Sequence, residues 1–239
     1  MKPGPRALLP WLALLAAACA DEPPATPPGV ATTPAQPVPP APELPGRRGF
    51  DRIAPGPLPA GWHVAGTRQE GPLATWGIVA DPAAASPPNV LALSAADHGS
   101  SPTFNLCWDT TSRFQDGVFE LAFRADAGEE DQGGGPVWRL KDENHYYVCR
   151  ANPLESNFRL YVVVNGERKQ LASAKAELTA GTWHHIRVEH VGARITCTLD
   201  GTVRLEAEDT TLPEAGYVGL WTKADARTSF DDLVVGPAR

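Results

Sequence analysis

The clearest signal in the chain is alternation. In GVFELAFRA (117–125), Phe119, Leu121 and Phe123 point one way and Glu120 and Arg124 the other. ARITCTLDG (193–201) repeats this with Ile195, Cys197 and Leu199, and TVRLEAED (202–209) sets Val203, Leu205 and Ala207 against Arg204, Glu206 and Glu208. Period two with one apolar face marks half-buried antiparallel strands. Asp200-Gly201 and Asn165-Gly166 are two-residue hairpin signals, because the turn needs positive φ at both positions. Further strands are expected at WHVAG, TWGIV, NVLAL, TFNLCW, PVWRL, HYYVCRA, WHHIRVEHV, YVGLWTK and SFDDLVV. No stretch holds a helical period over three turns, and KAELTA (175–180) has room for one turn at most. About a dozen short strands divided by Gly and Asp turns predict an all-β fold: a two-sheet antiparallel β-sandwich of jelly-roll type, in preference to an eight-strand barrel.

The N-terminus breaks this pattern. Lys2 and Arg6 precede a twelve-residue apolar run, ALLPWLALLAAA, too short for a permanent bilayer span. This is the layout of a secretory signal over 1–18. LAAAC resembles a bacterial lipobox, which implies lipidation of Cys19 and a membrane association made only through that anchor. Cleavage after Ala18 to give a soluble exported protein is the alternative. Residues 21–46 contain ten prolines among 26 residues and no aromatic. Such a segment cannot bury enough apolar area to order itself, so 19–48 reads as an extended tether. The folded domain is expected over 49–239.

Charge narrows the partners. Once Lys2 and Arg6 are removed, 28 acidic residues stand against 19 basic ones, which argues against nucleic acid and against an anionic membrane surface. Cys107, Cys149 and Cys197 form no C-x-x-C pair, and any two could join in an exported protein. Cys197 lies on an apolar strand face, as a buried thiol does. The six histidines lack metal-binding spacing, and no nucleophile elbow, phosphate loop or dinucleotide fingerprint occurs.

Candidate chemistry concentrates in 133–160, where Arg139, Asp142, Asn144, Tyr146, Arg150, Asn152 and Asn157 crowd among aromatics. Arg139, Tyr146, Arg150 and Asn152 are the binding candidates. Arginine and asparagine suit sugar hydroxyls and carbonyls, and tyrosine offers a stacking face. The competing reading makes this an edge strand whose arginine pairs with Glu120 or Glu189. Glu129, Glu130 and Asp131, ahead of three glycines, are either catalytic carboxylates or a solvated loop tip. Asp231 and Asp232 offer hard oxygen donors for a structural calcium, or else cap a turn. Trp221 is either a stacking platform or core.

Four segments in order, NHYYVCRANPLESNFRLYVVVNGERKQLA, GTWHHIRVEHVG, ITCTLDGTVRLEAED and GYVGLWTKADARTSFDDLVV, resemble the concanavalin A-like lectin/glucanase superfamily. Within it they are most similar to the 3-keto-disaccharide hydrolase domain family, as is the entry phrase FDRIAPGPLPAGW. The resemblance implies a sandwich whose concave face meets carbohydrate, and a hydrolase or lyase of 3-keto glycosides, with a non-catalytic sugar-binding module as the alternative. Family 16 glucanases carry Glu-x-Asp-x-(x)-Glu on one strand, which places nucleophile and acid together. Here the sole Glu-x-Asp is Glu129–Asp131, followed by glycines, so that mechanism is not expected.

Overall fold

A computed structural model describes residues 47–96 and 102–238. The expected signal segment and Cys19 lie outside the described residues. In chain order the strands are β1 (Arg47–Arg48), β2 (Gly56–Pro57), β3 (Trp62–Thr67), β4 (Thr75–Ala80), β5 (Asn89–Ala95), β6 (Phe104–Phe114), β7 (Gly117–Ala127) and β8 (Gly134–Asp142). Then follow β9 (His145–Asn152), β10 (Asn157–Val164), β11 (Glu167–Lys175), β12 (His184–Val191), β13 (Arg194–Leu199), β14 (Val203–Glu208), β15 (Gly216–Lys223) and β16 (Arg227–Gly236). No helix occurs among the described residues. Arg47 and Arg48, expected in the tether, instead pair with Val234 and Leu233 of β16.

Two antiparallel sheets form a sandwich. The first runs β14-β13-β12-β7-β16-β5-β4-β2, with β1 also on β16, and the second runs β11-β10-β9-β8-β15-β6-β3. The alternation read from the sequence sets the inward faces: Phe119, Leu121, Phe123, Ile195, Cys197 and Leu199 of the first sheet are all buried in the core between the sheets. Each such side chain contributes roughly 1.5–3 kcal/mol of burial. On the outward face Arg187 pairs with Glu120 and Glu189. Both predicted hairpins form, with φ of 52° and 75° at Asn165 and Gly166 and 49° and 66° at Asp200 and Gly201.

From the second sheet, Trp138, Tyr147, Cys149, Phe158, Leu160 and Val162 complete the core. Trp138 donates its indole N–H to His190 Nδ1 across the gap at 2.9 Å, and the Tyr147 ring meets His190 edge-on at 5.2 Å. Cys107, Cys149 and Cys197 are buried free thiols. Burial pushes the Cys107 thiol well above its ordinary value.

Candidate functional site

The two sheets differ on their outer faces. Strands β12 to β14 alternate between buried and open positions, whereas β8 and β9 are buried almost along their whole length. A sheet with one face on a core ordinarily presents polar residues on the other. Here the outward positions carry a second apolar cluster: Phe104, Leu106 and Trp108 from β6, Val137 and Leu140 from β8, Tyr146 and Val148 from β9, Tyr161 and Val163 from β10, and Trp221 from β15. Gly135 and Gly219 face the same way. A Cβ on Gly135 would run into the Cys149 carbonyl, and one on Gly219 into Trp108 and the Cys107 carbonyl, so glycine at these positions lets the neighbouring backbone approach closely.

The rings are held rigidly. Phe104 and Trp221 have centroids 5.3 Å apart. The Arg168 guanidinium lies over Tyr161 at 4.3 Å and over Phe104 at 5.0 Å. Thr67 donates its single hydroxyl proton to the Glu143 carbonyl at 2.5 Å, so the Tyr146 hydroxyl, 2.8 Å away, donates to Thr67. Burial pushes the Tyr146 phenol up, so it stays protonated.

Charged groups stand at one end of this aromatic face. Arg150, 1% exposed, donates through Nη2 to Glu155 Oε2 at 2.8 Å. The same oxygen accepts from Asn157 Nδ2 at 2.9 Å and Arg159 Nη1 at 3.3 Å. Partial burial works against the Glu155 charge, but the Arg150 and Asn157 hydrogen bonds outweigh it and hold the carboxyl down to about 2. Asn152 donates to Asp131 Oδ1 at 3.1 Å, and its own Oδ1 accepts the Leu154 and Glu155 amides. Asp131, itself buried, also accepts the Gly133 amide at 2.6 Å and faces Lys223 Nζ at 3.4 Å. The loop bearing it is pinned from behind, because the Asp225 carboxylate accepts the amides of Glu129, Glu130 and Asp131. Burial opposes the Asp225 charge, and these amides overcome it and lower its pKa.

The structure thus brings Tyr146, Arg150, Asn152 and Asp131 to one face. Strand β9 lies between β8 and β10, not at an edge, and Arg150 pairs with Glu155 where Glu120 or Glu189 was the alternative. Glu129 and Glu130 have exposed side chains at the loop tip. Arg139 is drawn away by a bulge. The β8–β9 register shifts between Trp138 and Asp142, and Arg139 has φ of 46°. Its guanidinium donates to the Gln115, Leu212 and Gly192 carbonyls and to Asp116 at 2.8–3.2 Å, tying three connections together. Asp231 and Asp232 sit in the first sheet, where β16 shifts register. Asp231 accepts the Ser86 amide at 2.7 Å, and Ser86 Oγ donates to Asp232 at 2.6 Å. Among the described residues no three His, Cys, Asp or Glu side chains gather as a metal-holding group.

Sequence reasoning missed Phe104, Trp108, Tyr161, Glu155, Arg159 and Arg168. A usable signal was the loss of alternation in HYYVCRA and NFRLYVVV, whose near-continuous apolar runs mark strands buried on both faces. Nothing local marks Arg168, which reaches the face only because the β10–β11 hairpin folds it opposite Val163.

No known family profile matches the chain, and no curated protein matches it. Solved structures do. The carbohydrate-binding module CBM66 from Bacillus subtilis aligns at 18% identity over 72% of this chain and 93% of that one, with a TM-score of 0.55. SCLam, a non-specific endo-β-1,3(4)-glucanase from family GH16, aligns at 14% identity over 89% and 98%, with a TM-score of 0.56. The Bacillus licheniformis β-glucanase aligns at 14% identity over 82% and 100%, with a TM-score of 0.51. At these identities the likeness is one of fold, and this chain has the concanavalin A-like β-sandwich.

Proposed function

We propose that the outer face of the second sheet is a carbohydrate-binding face and that the domain is a binding module without turnover. The observation that carries this reading is the aromatic outer face itself. Phe104, Trp108, Tyr146, Tyr161 and Trp221, each no more than 6% exposed and with Arg168 over the Tyr161 and Phe104 rings, stand where a sandwich ordinarily shows polar side chains, with Arg150, Arg159 and Asn152 beside them. Flat rings beside fixed donors are what a pyranose ring and its hydroxyls require. The occurrence of a carbohydrate-binding module and of glucanases on the same fold agrees with this reading.

The balance between binding and catalysis turns on the carboxylates. Glycoside hydrolysis needs one carboxyl kept protonated as an acid beside a second as base or nucleophile. On this face Glu155 is held near 2 and stays ionised. Asp131 is committed to Gly133, Asn152 and Lys223. Glu129 and Glu130 point to solvent. The 3-keto glycoside hydrolase reading remains the one to test against. With the expected export signal and proline-rich tether ahead of it, such a module would be held at the cell envelope.

The experiment is titration of the full chain with an oligosaccharide panel that includes 3-keto disaccharides, with tryptophan emission and product release followed together. Binding without product release is expected. Tyr161→Leu should weaken binding by up to about tenfold, the scale of one lost aromatic contact, while leaving the chain folded. Product release that disappears in Glu155→Gln or Asp131→Asn would make the domain an enzyme. A panel on which nothing binds would end the carbohydrate reading.

A further inference from the structure

The outer face of the second sheet carries more positive charge than its own carboxylates answer. Arg150 and Arg159 stand directly opposite each other in the β9–β10 register. Like charges so placed repel, and one carboxylate, Glu155, serves both. Asp131 is shared with Lys223. Arg168, opposite Val163 on β11, has no carboxylate within ion-pair distance among the described residues, and its guanidinium rests on the Tyr161 and Phe104 rings. Nε and Nη1 of Arg150, Nε of Arg159 and Nη1 of Arg168 are all buried with no hydrogen-bond partner among the described residues.

An unmade hydrogen bond to a buried charged donor is costly, and natural structures leave few of them. Four on one face, in a chain whose formal charge is −7, are a local arrangement and not a reflection of composition. Burial lowers the Arg168 pKa, with the nearby Arg150 charge acting in the same direction. Arg150, by contrast, is buried too, but its hydrogen bond to Glu155 outweighs burial and raises its pKa, so Arg168 is the less well compensated of the two.

We propose that the saccharide bound at this face is anionic, and that an acidic substituent on it is received by the free donors of Arg150 and Arg168 beside the Tyr161 ring. The proposal rests on the carbohydrate-binding reading and adds the class of sugar. A uronic-acid carboxylate and a sulfate ester share the required chemistry, since both present several acceptor oxygens to guanidinium groups. Glu155 orients Arg150 from the other side through Nη2, which leaves Nε and Nη1 to the ligand. Gly133 leaves room for Asp131 and the Arg150 side chain to sit together, because a Cβ there would stand 2.8 Å from Asp131 Oδ1 and 3.2 Å from Arg150 Cδ.

The test is an array of neutral, uronate-bearing and sulfate-bearing oligosaccharides matched in length, followed by calorimetric titration of the hits with the full chain at low and high sodium chloride. Anionic members should bind at least about tenfold tighter than their neutral counterparts, and the preference should shrink as salt rises. Arg168→Gln removes a guanidinium that no carboxylate depends on, so folding should survive. It should weaken the anionic ligand by roughly 10- to 100-fold, the scale of a charged hydrogen bond, and so narrow the preference for anionic over neutral sugars by about that factor. The carboxylate and sulfate arms identify which acid is preferred. Neutral sugars binding as tightly as acidic ones, or a preference that survives in both Arg168→Gln and Arg150→Gln, would overturn the anionic inference while leaving the carbohydrate reading standing. Inorganic sulfate binding as tightly as any sulfated sugar would reduce the site to a simple anion site. Silence across the whole array would overturn both readings.

Discussion

Acidification should destabilise the domain through one residue, His190. Its imidazole is fully buried between the sheets, accepts the Trp138 N–H at Nδ1, and lies near the Arg139 charge. Burial first, and that charge second, push its pKa from an ordinary 6.5 down to about 4. A base whose folded pKa lies below its unfolded value binds protons better when unfolded, so acid favours the unfolded chain. The contribution is complete above about pH 6.5, is lost as pH falls below that, and levels off near pH 4. A tenfold difference in proton affinity between the folded and unfolded chain corresponds to about 1.4 kcal/mol, so the full loss is about 3 kcal/mol, of which about 2 kcal/mol falls between pH 7 and pH 5. His184 titrates with the opposite sign, since its hydrogen bond to Asp200 outweighs partial burial and raises its pKa. Comparison with a variant therefore isolates the His190 contribution. His190→Asn keeps an oxygen to accept the Trp138 N–H and does not titrate in this range. Urea unfolding of both proteins from pH 7 to pH 5 should show the wild type losing about 2 kcal/mol more than the variant. Parallel stability profiles would mean that His190 is not held neutral in the core.

Arg139→Met should cost at least about 3 kcal/mol in urea unfolding, because the Gln115, Leu212 and Gly192 carbonyls lose their donor together; a cost below about 1 kcal/mol would show that the clamp is idle. Arg139→Lys should recover only part of this, since one ammonium cannot match a planar guanidinium. Asp225→Asn should loosen the 128–133 loop without unfolding the sandwich. Amide exchange at Glu129, Glu130 and Asp131 should rise about 10- to 100-fold, on the scale of lost charged hydrogen bonds, and unchanged exchange would refute the anchor.

Local rules carried most of the fold. The hairpins at Asn165-Gly166 and Asp200-Gly201 follow from two-residue turn chemistry, and the inward faces of β7, β13 and β14 from strict alternation. Part of the site was legible for the same reason. Tyr146, Arg150 and Asn152 have equal parity on one uninterrupted strand, so they share a face. Arg139 did not join them because the bulge between Trp138 and Asp142 resets the phase, and phase is all that alternation can report. The remaining members were hidden by distance along the chain. Arg168, Phe104 and Trp221 come from β11, β6 and β15, of which only β6 and β15 are neighbours in the sheet while β11 is its far edge, and no short window of sequence contains their meeting. Asp225 carries no local signal, because its role depends on a loop 94 to 96 residues away.

The place of β16 has a consequence for the order of events during synthesis. It lies between β5 and β7 in the first sheet and also receives β1. A ribosome that has made residues 47–226 has therefore synthesised every strand of the second sheet, while the first is still missing an interior strand. In that state β5 and β7 each present an unpaired backbone edge, and the apolar face of β7 has no settled neighbour on that side. The nascent chain cannot close its core before residues 227–236 appear, however early the hairpins form. A chain stalled or truncated just short of residue 227 is left with two open edges, the condition in which β proteins aggregate.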